Sequence, residues 1–105
     1  MNAEMVTIDG HGPAASVTLD IGAGRGALVI YPSERFRDRE IEISRAGEVH
    51  RVHTGVHERG TQSGSVLTAI FGSLATGEYR VWEDSATCAT RVVVGDGTVA
   101  EIALL

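Results

Sequence analysis

The sequence predicts an all-β fold, an antiparallel β-sandwich of seven or eight strands. Two observations predict it. Short segments alternate apolar and polar residues, and glycine-rich turns separate these segments at intervals of about eight to twelve residues. A period of two directs one face of each strand to a core and the other face to water or to a neighbour. No segment shows the 3.6-residue period of an amphipathic helix.

Residues 1–15 are interpreted as an N-terminal arm and residues 16–105 as the sandwich domain. Within the arm, Val6-Thr7-Ile8 is a possible edge strand. The following Asp9-Gly10-His11-Gly12-Pro13 combines turn-forming residues, which predicts a loose turn or a flexible segment.

The strands of the sandwich follow from the alternation and the turns between them. In the sixth of these strands, Tyr79 and Val81 share one face, whereas Arg80 and Trp82 share the other. The turn Gly95-Asp96-Gly97 predicts a hairpin between the last two strands. The predicted strands cover residues 16–21, 27–31, 39–45, 48–58, 65–72, 78–83, 88–94 and 98–104.

Composition limits the classes of partner. The chain of 105 residues has the size of one domain and carries 14 acidic against 9 basic residues, a net charge of −5. The basic residues are all arginines, and those near Glu34 alternate with acids. A surface for nucleic acid or an anionic membrane is therefore not expected. The N-terminus lacks the features of a signal peptide, and Cys88 stands alone, so we expect a cytoplasmic protein without an intrachain disulfide.

The segment Leu19-Asp20-Ile21-Gly22-Ala23-Gly24-Arg25-Gly26 resembles the first motif of S-adenosylmethionine-dependent methyltransferases. In that family the motif joins a buried parallel strand to a helix. Here the preceding strand alternates, and the following residues 27–32 favour a strand that ends in a proline. The chain is also too short for several βα units. We interpret Gly22, Gly24 and Gly26 as a hairpin turn that binds no nucleotide, and a methyltransferase fragment is the disfavoured alternative.

Three histidines, His50, His53 and His57, lie within one predicted strand. On a regular strand His53 and His57 share a face but lie about 13 Å apart, at ~3.3 Å per residue, and His50 points the other way. One metal ion could bridge them only with ligands from other strands. A metal-binding or small-molecule-binding module built on this strand is therefore kept as an alternative function.

No arrangement of residues predicts catalysis. The sequence contains no Ser-His-Asp order, no cysteine–histidine pair and no close pair of carboxylates. We therefore expect a protein that is not an enzyme and needs no cofactor.

The segment from Ala69 to Trp82 resembles a sequence pattern found in prealbumin-like β-sandwiches, among them carboxypeptidase regulatory-like and collagen-adhesin B-type domains. In this chain the pattern consists of an aromatic strand, Leu74, a small loop that ends at Gly77, and Tyr79. The resemblance extends over roughly residues 65–105 and implies that Leu74 and Tyr79 are buried against each other. Domains of this kind are mostly accessory or structural, which implies no particular ligand.

The function expected from these features is protein–protein contact or self-association. If Tyr79 and Val81 point into the sandwich, Trp82 points outward beside Arg80, and tryptophan and arginine are enriched at interface hot spots. Arg80 and Trp82 are therefore the candidate interface residues. The alternative is that Trp82 lies flat on its own sheet under neighbouring side chains or under residues 1–15.

Overall fold

The computed structural model describes residues 4–9 and 16–105, with side chains described from Leu19 onward. These residues form ten β-strands and one short 3-10 helix, η1, and contain no α-helix. The prediction of an all-β fold is confirmed. The strands are β1 Glu4–Asp9, β2 Ser16–Ile21, β3 Arg25–Pro32, β4 Glu40–Arg45, β5 Arg51–Gly55, β6 His57–Thr61, β7 Gly64–Ala75, β8 Gly77–Trp82, β9 Cys88–Val94 and β10 Val99–Leu104, and η1 spans Glu34–Phe36.

The strands form two four-stranded sheets and one two-stranded sheet. The first sheet, sheet I, has the order β10-β3-β7-β6, and the second, sheet II, has the order β5-β4-β8-β9. Strand β10 runs parallel to β3, whereas all the other pairs are antiparallel. Sheet I is therefore mixed, and the described chain has ten strands rather than the seven or eight expected.

The main core lies between sheets I and II. The alternation predicted for β4 and β8 holds, since Ile41, Ile43, Tyr79 and Val81 are all buried in this core. The buried residues of the main core are Leu28, Ile30, Phe36, Ile41, Ile43, Val56, Ala69, Phe71, Leu74, Tyr79, Val81, Val94 and Leu104.

A second core covers the opposite face of sheet I. Leu19 and Ile21 of β2 pack against three residues of β3 and β7 that face away from the main core, namely Ala27, Val29 and Ile70. Strand β3 is therefore buried on both faces, which explains its uninterrupted apolar run Ala27-Leu28-Val29-Ile30. The pair β1–β2 forms a third layer on the outside of sheet I.

The third layer changes the predicted division of the chain. Strand β2 was expected to belong to the sandwich, but it pairs with β1 along its whole length. The edge strand suggested by Val6-Thr7-Ile8 lies within β1. The predicted loose segment falls largely on residues 10–15, which lie outside the described residues, as do residues 1–3.

The prediction of one continuous strand over residues 48–58 is wrong. The strand is interrupted at Val56, whose side chain is buried in the main core and whose N–H donates to the carbonyl oxygen of Arg39 at 3.0 Å. Strand β5 ends at Gly55 in sheet II, and β6 begins at His57 in sheet I. A single buried valine therefore marks the crossing from one sheet to the other.

The prediction of a hairpin at Gly95-Asp96-Gly97 is also wrong. Strands β9 and β10 belong to different sheets, and the turn carries the chain between them. Strand β10 pairs with β3 instead, as the N–H of Ala27 donating to the carbonyl oxygen of Thr98 at 2.9 Å shows. Because β3 is buried on both faces, water cannot supply hydrogen bonds to the backbone N–H and C=O groups along its second edge. These groups need a protein partner, and β10 provides it.

The turn between β2 and β3 confirms the predicted glycine-rich turn. The N–H of Gly22 donates to the carbonyl oxygen of Arg25 at 2.7 Å, and the reverse bond is 3.2 Å long. The two central residues, Ala23 and Gly24, have φ of 56° and 85°, the signs of a type I′ turn. Strand β2 consequently folds back over the outer face of sheet I.

Gly26 meets a different requirement. A Cβ atom at this position would lie 2.3 Å from the carbonyl oxygen of Gly95 and 3.0 Å from that of Thr98. The side-chain carboxylate of Asp96 accepts a hydrogen bond of 2.5 Å from the N–H of Gly24, which joins the same two turns. Gly24 and Gly26 therefore allow the turn between β2 and β3 to pack against the turn between β9 and β10.

The burial that the prealbumin-like pattern implied for Leu74 and Tyr79 is confirmed. Their side chains are 8% and 5% exposed and belong to the same core. The phenol of Tyr79 also donates to the carbonyl oxygen of Ala75 at 2.6 Å, which ties β8 to the end of β7. The hydroxyl is thus satisfied although the ring is buried.

We expect Gly26→Ala to lower the free energy of unfolding by about 2–3 kcal/mol, because its Cβ forces apart two packed turns. Gly24→Ala is the matched control. It adopts the same strained φ sign that Ala23 tolerates, has open space around its Cβ, and should cost about 1 kcal/mol. Urea unfolding of both variants measures the difference, and equal losses would show that the close approach at Gly26 is unimportant.

Tyr31 supports the parallel pair of β3 and β10. Its phenol donates to a carboxylate oxygen of Glu101 at 2.6 Å. This hydrogen bond, followed by burial and the negative charge of Glu101, raises the pKa of Tyr31 from 10.0 to about 12. The folded protein therefore holds this proton more tightly than the unfolded chain does.

The contribution of Tyr31 to stability should be fully present below pH 10 and be lost as the pH rises toward about 12. Titration of tyrosinate absorbance should show a transition near pH 12 that moves back toward 10 in Glu101→Gln. Tyr31→Phe identifies the transition, because it removes one of only two tyrosines. An identical titration curve for wild type and Glu101→Gln would contradict the assignment.

Candidate functional site

The outer face of sheet II differs from that of sheet I, since no described strand covers it. We call it the open face. Two rows of residues cross it where neighbouring strands pair. One row is Arg51, Ser44, Arg80 and Arg91, and the next is His53, Glu42, Trp82 and Cys88.

The structure brings the two candidate interface residues, Arg80 and Trp82, onto this open face. Both side chains are half-buried, and the intervening Val81 points into the main core. The indole N–H of Trp82 donates to the hydroxyl of Ser44 at 2.9 Å, and the guanidinium of Arg51 lies 3.8 Å from the ring centroid. Trp82 thus lies between its own sheet and Arg51, as the alternative from the sequence described.

Arg51 is held in this stacked position by three acceptors. One nitrogen donates to a carboxylate oxygen of Glu42 at 2.9 Å and to the carbonyl oxygen of Asp84 at 3.4 Å, and the other donates to that of Ser85 at 2.9 Å. A cation fixed over an indole ring is attracted by the negative face of the ring. The Trp82 ring and the Arg51 guanidinium therefore form one ordered unit.

The loop that holds Arg51 is itself ordered by Asp84. The carboxylate of Asp84 accepts hydrogen bonds from the N–H groups of Ala86 and Thr87 at 2.8 and 2.7 Å. These two bonds hold the pKa of Asp84 below its usual range. The loop between β8 and β9 keeps this shape while Asp84 is ionised.

The arginine row is incompletely neutralised. Arg51 pairs with Glu42 at 2.9 Å, and Arg91 lies 3.7 Å from Glu78. Arg80 forms no ion pair or hydrogen bond with the described residues, although it lies directly opposite Arg91. Like charges directly opposite each other destabilise a sheet, and an acidic group placed between them would remove this cost.

The three histidines are not brought together. His50 lies in the loop before β5, and His53 lies on β5, 3.7 Å from a carboxylate oxygen of Glu40. His57 lies on β6, which belongs to the other sheet. Among the described residues, no three His, Cys, Asp or Glu side chains are grouped closely enough to hold a metal ion. The metal site suggested by the histidine spacing has no geometric basis here.

The structure also separates the glycine segment from the methyltransferase motif that it resembles. In that family a helix follows the glycines, but here the turn at Gly22–Arg25 leads directly into β3. The backbone of Gly24 and Arg25 is occupied by Asp96 and Gly97 of the neighbouring turn. The helix N-terminus that binds a nucleotide in that family is therefore missing from the segment.

Sequence reasoning found Arg80 and Trp82 but missed the residues that organise them, Arg51, Glu42 and Ser44. Arg51 lies within the predicted strand 48–58, in which the sequence indicated only the three histidines as candidate site residues. Period-two alternation places Glu42 and Ser44 on the same face of β4, but it does not show which strand lies beside Trp82. The pairing of β4 with both β5 and β8 provides that information.

Comparisons with known proteins do not place the chain in a family. No family model and no curated protein matches it. Among solved structures, a leucine-rich repeat protein from Bacteroides thetaiotaomicron is similar over 78% of this chain, with 13% identity and a TM-score of 0.49, and only 12% of that protein is covered. A similarity of this size carries no argument. No helix among the described residues is long and apolar enough to cross a membrane.

We expect Arg51→Ala to shift the fluorescence emission of Trp82 to longer wavelength, because it uncovers the ring, and to cost about 0.5–1 kcal/mol of stability. Trp82 is the only tryptophan, so the emission reports this site alone. Arg91→Ala is the control, since it removes an arginine of the same face that does not lie over the ring. The same emission maximum in wild type and Arg51→Ala would refute the stacking.

Proposed function

We propose that the protein is a non-enzymatic contact module whose open face binds an acidic segment of a partner protein. The observation that carries the proposal is the row of Arg51, Arg80 and Arg91 beside the half-buried Trp82. This row lies on the sheet face that no described part of the chain covers.

The first argument is preorganisation. A binding surface loses less entropy when its large side chains are already fixed. Trp82 is fixed from below by Ser44 and from above by Arg51, while part of its ring remains accessible. Tryptophan and arginine contribute most to binding energy when they are packed and surrounded by neighbouring residues. This unit therefore offers an apolar anchor beside a positive group.

The second argument is charge complementarity. The protein as a whole is acidic, with a net charge of −5, yet on this face Arg80 has no carboxylate partner among the described residues. A glutamate or aspartate side chain from a partner could lie between Arg80 and Arg91. Charge-assisted hydrogen bonds to arginine are about twice as strong as neutral ones. An acidic segment is therefore a better fit than a basic or an apolar one.

The third argument is the difference between the two outer faces. The outer face of sheet I is already occupied by β2, whose Leu19 and Ile21 complete the second core. Sheet II has no equivalent layer among the described residues. A partner segment laid across β4, β8 and β9 would give sheet II the cover that β2 gives sheet I.

The same proposal includes the finer expectations from the sequence. The fold would be a prealbumin-like sandwich, whose relatives are mostly accessory domains, and the protein would work in the cytoplasm without a cofactor, nucleic acid or membrane. The single cysteine, the absence of lysine and the acidic composition support these expectations.

The probe for this proposal is a synthetic glutamate-rich peptide with interspersed leucines, compared with the same peptide in which glutamine replaces glutamate. Binding is followed by Trp82 fluorescence and by a dye attached to Cys88, the only cysteine, which is exposed and pairs with Trp82 across the sheet. We expect Arg80→Gln to weaken the acidic peptide about tenfold, which corresponds to about 1.4 kcal/mol. Arg37→Gln removes the same charge elsewhere and should leave binding unchanged.

Three results would overturn the proposal. One is equal weakening by Arg80→Gln and Arg37→Gln, which would assign the effect to net charge rather than to the open face. The other is a wild-type dimer in sedimentation that dissociates in Trp82→Ala, which would make a second copy of the chain the occupant. A glutamine peptide that binds as tightly as the glutamate peptide would also exclude an acidic partner.

A further inference from the structure

A pocket of about 230 Å³ opens between sheets I and II, at the end of the sandwich where β3 begins and β7 ends. Its walls come from both sheets, because β4, β5 and β8 contribute from sheet II. The pocket shares Ser44 with the open face, but its other lining residues lie outside the two rows of that face, and several belong to the main core.

The floor of the pocket is apolar. It is formed by Ile43, Leu74 and Tyr79, all of which are buried in the main core. Val52 extends this apolar surface along edge strand β5 and remains 38% exposed. Partly exposed apolar surface beside a concave floor is typical of small-molecule sites.

Three cationic or titratable nitrogen groups, on Arg25, Arg45 and His50, line the same pocket. Arg25 donates to the hydroxyl and the carbonyl oxygen of Ser73 at 2.5 and 3.1 Å but forms no ion pair with the described residues. Arg45 is half-buried and forms neither a hydrogen bond nor an ion pair with them. The chain has 14 acidic residues and nine arginines, yet neither guanidinium in this pocket forms an ion pair with the described residues, although Glu48 also lines the pocket.

The position of Arg45 is built into the turn between β7 and β8. A Cβ atom at Gly77 would lie 3.0 Å from a terminal nitrogen of Arg45, so the glycine makes room for the guanidinium. Gly77 also has a φ of 149°, which side chains rarely adopt. The guanidinium of Arg45 therefore lies against the backbone of this turn, and Glu48 is the single carboxylate that lines the pocket.

We propose that this pocket binds a small carboxylic acid with an apolar body. The carboxylate would lie between Arg25 and Arg45, because a guanidinium offers parallel N–H donors that match its two oxygens. The apolar body would contact Leu74 and Tyr79. The volume is below the usual range for drug-sized ligands, about 300–1,000 Å³, which limits the ligand to a short alkyl or single-ring acid.

This site goes beyond the proposed contact function and uses only one of the three histidines that the sequence singled out. His50 lines the pocket, whereas His53 faces Glu40 and His57 lies on the other sheet.

The test uses 3-phenylpropionate as the probe and its neutral isostere 3-phenylpropanamide as the comparison, in isothermal titration calorimetry on the full chain. We expect saturable binding of the acid that is at least about tenfold tighter than that of the amide. Arg45→Met keeps the apolar part of the side chain and should weaken the acid at least about tenfold. Arg37→Met, which lies outside both proposed sites, should bind the acid as wild type does, and thermal melting verifies that both variants fold.

Three outcomes would overturn this proposal. The first is no saturable binding of the acid by wild type. The second is equal affinity for acid and amide, or for wild type and Arg45→Met. The third is inorganic phosphate competing as well as the acid, which would show that the apolar floor contributes nothing. These outcomes are independent of the acidic-peptide experiment, because the peptide variants do not alter the pocket.

Discussion

The organisation of the molecule depends on the burial of residues 26–30 in the middle of β3. Its residues Ala27, Leu28, Val29 and Ile30 are at most 1% exposed, so both of its faces and both of its edges must be covered by protein. The main core covers one face and β2 covers the other, while β7 and β10 occupy the edges. Backbone groups in such a position must find protein partners, which requires the parallel addition of β10 and prevents a simple β9–β10 hairpin. The packed turns at Gly26 and Gly95 make this arrangement possible at the start of β3.

Covering β3 makes the two outer faces unequal. The outer face of sheet I is filled by the β1–β2 layer, and its apolar residues there are part of a core. Sheet II has an outer face that none of the described strands covers, with charged residues and one tryptophan, which is the pattern of a surface rather than a core. The proposed contact function therefore rests on this difference between the two faces as much as on Trp82 itself.

The arginines show how the acidic chain distributes its positive charge. Arg35, Arg37, Arg51 and Arg91 form ion pairs with glutamates, and Arg37 bridges Glu34 and Glu58. The hydrogen bond from Arg37 holds the pKa of Glu34 below its usual range, whereas the pKa of Glu58 is lowered first by the hydroxyl of Ser65 and then by Arg37. Arg25, Arg39, Arg45 and Arg80 form no ion pair with the described residues, and Arg39 donates to the carbonyl oxygen of Glu83. Arg25 and Arg45 line the proposed pocket and Arg80 lies on the open face, so both proposed binding sites involve an incompletely neutralised guanidinium.

The sequence by itself determined the fold class and nearly all the strands, because alternation and glycine turns are local signals that depend on neighbouring residues alone. It also determined that Leu74, Tyr79 and Val81 face the core and that Arg80 and Trp82 face outward. Only the tertiary structure decided which strands pair. The hairpin expected at Gly95-Asp96-Gly97 became a crossing between sheets, and the strand over 48–58 divided at Val56, because the need to cover β3 and fill the main core outweighs turn preference. For the same reason Arg51, which stacks on Trp82, and Arg45, which lines the pocket, could not be found from the sequence. Their roles arise from contacts between residues that are distant along the chain.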